Sequence, residues 1–382
     1  MISRQVQNQE IIDAFLADNP AYQVCKIRGQ ALSNTSGGRI KYIDFLKGIA
    51  IIGVIMIHVC GTLITSDDGS FAWRTYVVYD ALSRFAVPVF FMCSGVLLLN
   101  NEKEMTFKRV MKYEGRILLA LFIYGGIYRI YHFLVGETAY TSLISTILHI
   151  PYDFLTCNAE FHFWYLYAMV CIYLTLPVVK VFTDKATKNQ LEYFLALWWI
   201  LSVVEYLIQF EVLLPLTVWT NSMYYFSGFF GYTGFMVLGV YLSRYGIDKK
   251  RVTLVRFAAV AGLVFSTILT IYQRLVTGSH DDLLDYYSPF IILCSVCIFD
   301  LCKSMKLTDG TITKGFCYLG KNSLGIYMIH MVFVFVLVGC NILSINICPI
   351  IAPLVYAILV LIPSIIVSWL IKRVPVIGKR IV

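Results

Sequence analysis

A histidine lies deep inside the first of several long apolar segments of the chain. His58 follows Lys47 by eleven residues, so in a helix the two side chains share one face and lie roughly 16 Å apart along the axis. An imidazole takes a proton from a hydroxyl and returns it to a leaving group near neutral pH. The spacing therefore predicts a catalytic base within an apolar helix that carries a cation at its boundary.

Further ionisable side chains fall at similar depth in other apolar segments: Arg84, His162, Glu205 and His330. Because such groups are costly inside a bilayer, each is a candidate functional residue. Arg84 and His162 are predicted to orient the substrate or to stabilise the reacting centre beside His58. The alternative for His162 and His330 is a structural bond to a neighbouring helix, and for Lys47 a side chain that extends to the lipid boundary. Whether these groups share one cavity stays open at this point.

The elements that position these residues are predicted to be transmembrane helices. The 382 residues are 59% hydrophobic and only 14% charged, whereas soluble proteins carry about 25% charged residues. Helix is the expected conformation because lipid offers no partner to an unpaired backbone group. Ten spans are predicted, at residues 42–64, 76–99, 114–135, 161–182, 189–210, 223–243, 252–272, 287–303, 318–340 and 348–371. The fold class is thus an all-α integral membrane protein.

The positions of the positive charges predict an orientation. Lys and Arg concentrate in the N-terminal segment, the even-numbered loops and the C-terminal tail, and they are sparse in the odd-numbered loops. The positive-inside rule then places both termini in the cytoplasm. Residues 1–40 are expected to form a polar cytoplasmic extension without the pattern of a cleaved signal peptide, residues 41–372 a membrane domain, and residues 373–382 a short tail. The basic loops fit topology and contact with membrane lipid better than binding of nucleic acid.

The buried polar groups fit acyl transfer in this orientation. Lys47 would lie at the cytoplasmic mouth and His58 in the outer half of the membrane. Basic residues at that mouth suit a phosphate-rich cytosolic donor such as a coenzyme A thioester. No cysteine pair has close metal-ligand spacing supported by histidine, so no metal is expected.

Five segments, in order along the chain, resemble the acyltransferase-3 family of multi-pass membrane O-acyltransferases. They are Lys41–Ala50 with His58, Arg84–Gly95, His162–Tyr167, Gly231–Gly239 and Leu319–His330. The similarity covers about residues 40–372. It implies transfer of an acyl group, usually acetyl, from cytosolic acyl-CoA to a carbohydrate hydroxyl at the outer face of the cell membrane. The membrane is expected to be the cytoplasmic membrane of a bacterium.

The resemblance also suggests roles for individual residues. Lys47 would engage the donor and His58 would be the essential histidine. The family's paired-arginine element has its nearest match at Arg109 and Lys112, with Arg116 one turn further, which departs from the family pattern. Lys47, Arg109, Lys112 and Arg116 are therefore predicted to bind acyl-CoA.

The carbohydrate acceptor is predicted to contact a further group of residues on the outer side: Trp73, Trp164, Glu205 and His330. For the tryptophans, the alternative is the aromatic belt found at membrane interfaces. A homo-oligomer or a separate extracytoplasmic partner is also compatible with the chain. The competing functional hypotheses are a transporter or polysaccharide exporter, since intramembrane charges mark transport sites as well, and a membrane sensor that binds no acyl-CoA. The absence of an internal repeat argues mildly against a transporter.

Overall fold

The computed structural model describes residues 35–36, 39–64, 68–137, 142–208, 217–276, 283–345 and 347–375. Within these ranges the fold is almost entirely helical. Two short strands, β1 Thr35–Ser36 and β2 Arg39–Ile40, pair in antiparallel register immediately before the first helix. Most of the predicted N-terminal extension and the end of the predicted tail lie outside the described residues.

Thirteen helices follow in chain order within the described ranges. They are α1 Lys41–Leu63, α2 Phe71–Ser83, α3 Ala86–Leu99, α4 Phe107–Leu134, α5 Leu143–Leu155, α6 Trp164–Lys185, α7 Lys188–Ile208, α8 Thr217–Tyr245, α9 Val252–Val276, α10 Pro289–Ser304, α11 Thr311–Lys321, α12 Ser323–Gly339 and α13 Ala352–Lys372. Two 3₁₀ turns, Phe161–Phe163 and Ile342–Ser344, precede α6 and follow α12.

Helices coincide with all ten predicted spans, but two of those spans are divided. Residues 84 and 85 separate α2 from α3, and α11 meets α12 at an angle of 81°. Among the described residues, six helical segments are long and apolar enough to cross a membrane, or seven if α11 and α12 form one span. These segments make the chain a multi-pass membrane protein, while the count of ten spans and the orientation of the termini stay predictions.

Helix α1 occupies the interior of the bundle. It packs against α2, α3, α10, α11, α12 and α13, and Ile43, Leu46 and Ile51 on it are fully buried. By contrast, α9 exposes apolar side chains such as Phe257 and Val260, as a helix facing lipid would. The helix that carries both Lys47 and His58 is therefore enclosed by other helices.

Glycines allow α1 to approach α11 closely enough for their backbones to touch. A Cβ atom at Gly48 would overlap the carbonyl oxygen of Phe316, and one at Gly320 would overlap the carbonyl oxygen of Asp44. Small residues at such crossings are a general means of packing membrane helices. The crossing fixes α11 against the first turns of α1, on which Lys47 lies.

Replacement of Gly320 with alanine is expected to separate this crossing and to lower the stability of the protein. The extra methyl group meets backbone rather than a movable side chain, and overpacking of this kind costs about 1–3 kcal/mol. Thermal unfolding in detergent micelles measures the effect. Gly315→Ala is the matched control in the same helix, because a Cβ at Gly315 meets nothing within 4 Å. Equal melting temperatures for the two variants would contradict the close packing.

Candidate active site

Three histidines from three separate elements meet at one end of the bundle. His58 lies on α1, His162 in the 3₁₀ turn Phe161–Phe163, and His330 on α12. The ring centroids are 5.1 Å apart for His58 and His330, 5.4 Å for His162 and His330, and 6.1 Å for His58 and His162. His162 and His330 are fully buried, whereas His58 is half-buried. We call these residues the histidine cluster.

The turn that carries His162 is fixed by two tyrosines. The hydroxyl of Tyr327, on α12, donates a hydrogen bond to the backbone carbonyl of His162. The ring of Tyr128, on α4, packs edge-on against the imidazole at a centroid distance of 5.2 Å. Neither was predicted from the sequence, although Tyr327 precedes His330 by one helical turn and so lies on the same face.

The imidazole of His162 has no hydrogen-bond partner at either ring nitrogen among the described residues. A buried polar group left in this state costs about 1–3 kcal/mol. Native proteins pair nearly all such groups, so an exception calls for an explanation. The imidazole is thus available to bind a polar group that enters the cluster.

Arg84 lies at the break between α2 and α3 and is bound to Asp80. Its Nε and Nη2 atoms donate to Asp80 Oδ2 at 3.0 and 2.8 Å, and its charge is close enough to His58 for an electrostatic interaction. The side chain of Glu205, which was predicted to contact the acceptor, lies outside the described residues. The spacing of four residues between Asp80 and Arg84 was the available signal, because residues four apart are neighbours along a helical turn.

Two arginines, Arg39 and Arg116, lie close enough to interact with Lys47 at the opposite end of α1. Asp44, Arg39 and Arg116 all interact electrostatically with Lys47, and Lys372 at the end of α13 interacts with Arg39 and Arg116. Asp44 is bonded to Arg39, with Nε of the arginine 3.2 Å from a carboxylate oxygen. We refer to these five residues as the basic end of the bundle.

The structure divides the predicted donor-binding residues. Arg116 belongs to the basic end with Lys47, as the prediction requires. Lys112 is exposed on α4, whereas Arg109 is half-buried and donates to the backbone carbonyl of Glu104. Residues 109, 112 and 116 share a stripe along α4. Arg116 is exposed as well, but it lies one turn further along the helix, where its charge interacts with Lys47.

A cavity of about 310 Å³ opens beside the first turn of α1. Its charged lining comes from α11 and the loop before it as well as from α1, and comprises Arg39, Lys41, Asp44, Asp309, Lys314 and Lys321. Lys41 binds Asp309 at 2.7 Å, and this contact holds the pKa of the Asp309 carboxyl below its usual range. No sequence pattern indicated that α11 lies at this position, since its contact with α1 depends on the 81° bend before α12.

The two tryptophans predicted to contact carbohydrate have different surroundings. Trp73 is only 3% exposed within α2 and presents little surface to a ligand. Trp164 is half-buried beside the histidine turn, stacked on Tyr286 at 5.7 Å and next to Tyr232 at 5.5 Å. Trp164 is therefore the better placed of the two to line an acceptor site.

An ionic network that the sequence did not indicate supports the approach to the histidine turn. Arg129 on α4 pairs with Asp153 at 2.6 Å, and His132, one turn further, pairs with Glu160 at 2.6 Å. Burial raises the pKa of the Glu160 carboxyl, an effect that the bond from His132 partly offsets. Since Glu160 immediately precedes the 3₁₀ turn, the network anchors the segment that presents His162.

Replacement of Glu160 with glutamine is expected to destabilise this anchored segment. Glu160 is 8% exposed in its bond with His132, and loss of a buried charged partner costs about 1–3 kcal/mol. Glu137→Gln is the matched control, because Glu137 pairs with the same imidazole at 3.4 Å but is 67% exposed. Exposed pairs contribute about 0–1 kcal/mol. Thermal unfolding compares the variants, and a larger loss for Glu137→Gln would refute the anchoring role.

Imidazole is a common metal ligand, so three neighbouring histidines raise the question of a metal site. In the part of the chain that the structure describes, no group of three or more His, Cys, Asp or Glu residues is arranged to hold a metal ion. The three imidazoles of the histidine cluster are included in that statement.

Apolar helices enclose the histidine cluster at one end of the bundle, and the basic end lies at the other. This arrangement defines a multi-pass membrane protein with an internal polar site. The family model described as an acyltransferase domain matches residues 40–373. The chain therefore belongs to the acyltransferase-3 family, as the five sequence segments predicted, and it is a membrane acyltransferase. No curated protein and no solved structure gives a significant match to the chain.

Proposed function

We propose that the protein transfers an acyl group, with acetyl as the first candidate, from acyl-CoA at the basic end to a carbohydrate hydroxyl at the histidine cluster. The observation that supports this most is the enclosure of α1, which carries Lys47 at one end of the site and His58 at the other. The rise of a helix separates the two residues by roughly 16 Å. Donor phosphates and reacting carbon would therefore occupy different ends of one helix.

His58 is proposed as the general base. It is the most accessible imidazole of the histidine cluster, so it can reach a substrate hydroxyl. His58 takes the hydroxyl proton while the oxygen attacks the thioester carbonyl carbon. The carbon–sulfur bond then breaks, and the thiolate of coenzyme A leaves with that proton as a thiol. A brief transfer of the acyl group to His58 itself is the alternative route.

His162 is proposed to stabilise the oxyanion that forms during the attack. A neutral imidazole always carries one N–H group, and neither nitrogen of His162 has a partner among the described residues. A donor aimed at developing charge in a water-poor site commonly lowers the barrier by about 3–4 kcal/mol. The nearby pair of Arg84 with Asp80 supports the same region electrostatically.

Lys47 and Arg116 are proposed to bind the phosphates of the donor, with Arg39 and Lys372 as further contacts. Their shared location supports this assignment, because several cations held near one another favour a polyanionic ligand. Arg109 and Lys112 would contribute only long-range attraction from the surface of α4. Trp164, with Tyr286 stacked on it and Tyr232 beside it, is proposed to receive the sugar ring.

Acyl transfer by purified protein tests the proposal. The protein is reconstituted in nanodiscs with radiolabelled acetyl-CoA and a panel of envelope glycans, and both thiol release and label in the glycan are followed. Saturable, glycan-dependent release of the thiol is expected. Uptake of a sugar into proteoliposomes without any thiol release would instead favour the transporter. Mass spectrometry of envelope glycans from a deletion strain identifies the acyl group and the acceptor together.

A further inference from the structure

The tautomer of His330 is set by the backbone. Its Nδ1 atom lies 2.6 Å from the carbonyl oxygen of Tyr327. A carbonyl oxygen only accepts hydrogen bonds, so Nδ1 carries the proton in the neutral ring. The Nε2 atom is then a bare acceptor, and it is buried without a partner among the described residues.

This bare acceptor belongs to the ring nearest to His58. Two imidazoles joined end to end by a hydrogen bond of about 2.9 Å have centroids roughly 5 Å apart. The observed separation of His58 and His330 is 5.1 Å, whereas that of His58 and His162 is 6.1 Å. The ring planes of His58 and His330 are inclined by 46°, so rotation of the half-buried His58 ring would align one of its nitrogens with His330. Catalytic hydrogen bonds often tighten in this way only when substrate binds.

We propose that His330 is a positioning residue that accepts a hydrogen bond from His58 and thereby sets its tautomer. This inference rests on the proposed role of His58 as a base. With one N–H held by His330, the opposite nitrogen of His58 keeps its lone pair toward the acceptor hydroxyl. When that nitrogen takes the proton, the bond to His330 keeps the imidazolium in place. The third group of a catalytic triad has the same function of orienting the base.

The assignment differs from that expected from sequence, in which His330 contacts the carbohydrate. The side chain is completely buried, so a substrate reaches His58 before it reaches His330. The bond to Tyr327 also links His330 to the hydroxyl that fixes the His162 turn. Tyr327 and His330, one turn apart on α12, thus contact the His162 turn and the His58 ring respectively.

Two amide replacements separate the roles of the two nitrogens. In His330→Gln the side-chain amide reaches the position of Nε2 and can accept from His58, whereas in His330→Asn it reaches only the position of Nδ1 and keeps the bond to Tyr327. We expect kcat to fall by less than about tenfold in His330→Gln and by about a hundredfold in His330→Asn, a loss within the range for acid–base assistance. The KM for acetyl-CoA should be unchanged in both, because neither variant touches the basic end.

The outcomes distinguish this inference from the proposed function itself. Absence of glycan-dependent acyl transfer in the wild-type protein refutes the proposed function. If the wild type is active but His330→Asn is as active as His330→Gln, or more active, the acceptor role of Nε2 is refuted. Nitrogen NMR of the wild-type protein labelled in histidine provides a test that requires no variant to fold: protonation of Nε2 in the neutral His330 ring would overturn the proposal.

Discussion

The His58→Ala variant is expected to lose acyl transfer by about three to four orders of magnitude. General acid–base assistance alone contributes about 10²- to 10⁴-fold. The same imidazole is proposed to take the proton from the hydroxyl and to return it to the departing sulfur, so both proton transfers lose their catalyst. Residual activity would come from binding and from the oxyanion donor on His162.

Folding should survive this change better than activity does. His58 is the half-buried member of the histidine cluster, and the side chains that surround α1 remain in place. Acyl transfer is measured as thiol release and as label in the glycan, with enzyme concentration corrected for the folded fraction. His149→Ala is the control, because His149 is exposed on α5, where it lies within hydrogen-bond distance of the carbonyl of Ser145. Wild-type turnover in His58→Ala would rule out the proposed mechanism.

A second measurement examines the route through His58. If the acyl group passes briefly to the imidazole, a donor supplied without acceptor should leave label on the wild-type protein. The label would be absent from His58→Ala and present in His149→Ala. Lack of label in the wild type together with full turnover favours direct transfer to the hydroxyl.

The sequence predicted the helical architecture and the position of Lys47 and His58 on one helix, because both are encoded locally. The apolar length and the spacing of Lys47 and His58 follow from helix geometry within one segment. The breaks in the second and ninth predicted spans could not be predicted in the same way. Arg84 lies at one break, where it pairs with Asp80, and the bend after Lys321 turns α11 back onto α1.

The histidine cluster could not be predicted as a unit. His58, His162 and His330 are more than a hundred residues apart in sequence, and only helix packing decides whether they meet. The sequence indicated how deep each histidine lies within its predicted span, but it did not indicate which residues each histidine contacts. The same limit applies to His132 and Glu160, whose bond joins α4 to the histidine turn. Arg109 and Lys112 were predicted to bind the donor from a local charge pattern, and in the structure they lie on α4, where Lys112 is exposed and Arg109 is half-buried.

The Lys47→Met variant is expected to weaken donor binding more than chemistry. Methionine keeps the length and apolar stem of the side chain and removes its charge. A hydrogen bond from a charged group contributes about 1.5–3 kcal/mol, which corresponds to a rise in KM for acetyl-CoA of roughly 10- to 150-fold. An interaction that is equally strong in the ground state and the transition state affects KM alone. Because the phosphates stay at the basic end throughout the reaction, kcat should change by less than about threefold.

The comparison with other cations determines whether the effect is specific to the basic end. Arg116→Met should also raise the KM for acetyl-CoA, because Arg116 interacts with Lys47. Lys112→Met and Lys249→Met should leave this KM nearly unchanged, because both side chains are exposed and neither belongs to the basic end. Initial rates over a range of acetyl-CoA concentrations, at saturating acceptor, give the two constants. Raising the salt concentration should reduce the difference between wild type and Lys47→Met, since ions screen the attraction to phosphate. A large fall in kcat with unchanged KM in Lys47→Met would move this lysine from donor binding to the reacting centre and would place the thioester near the basic end rather than beside His58.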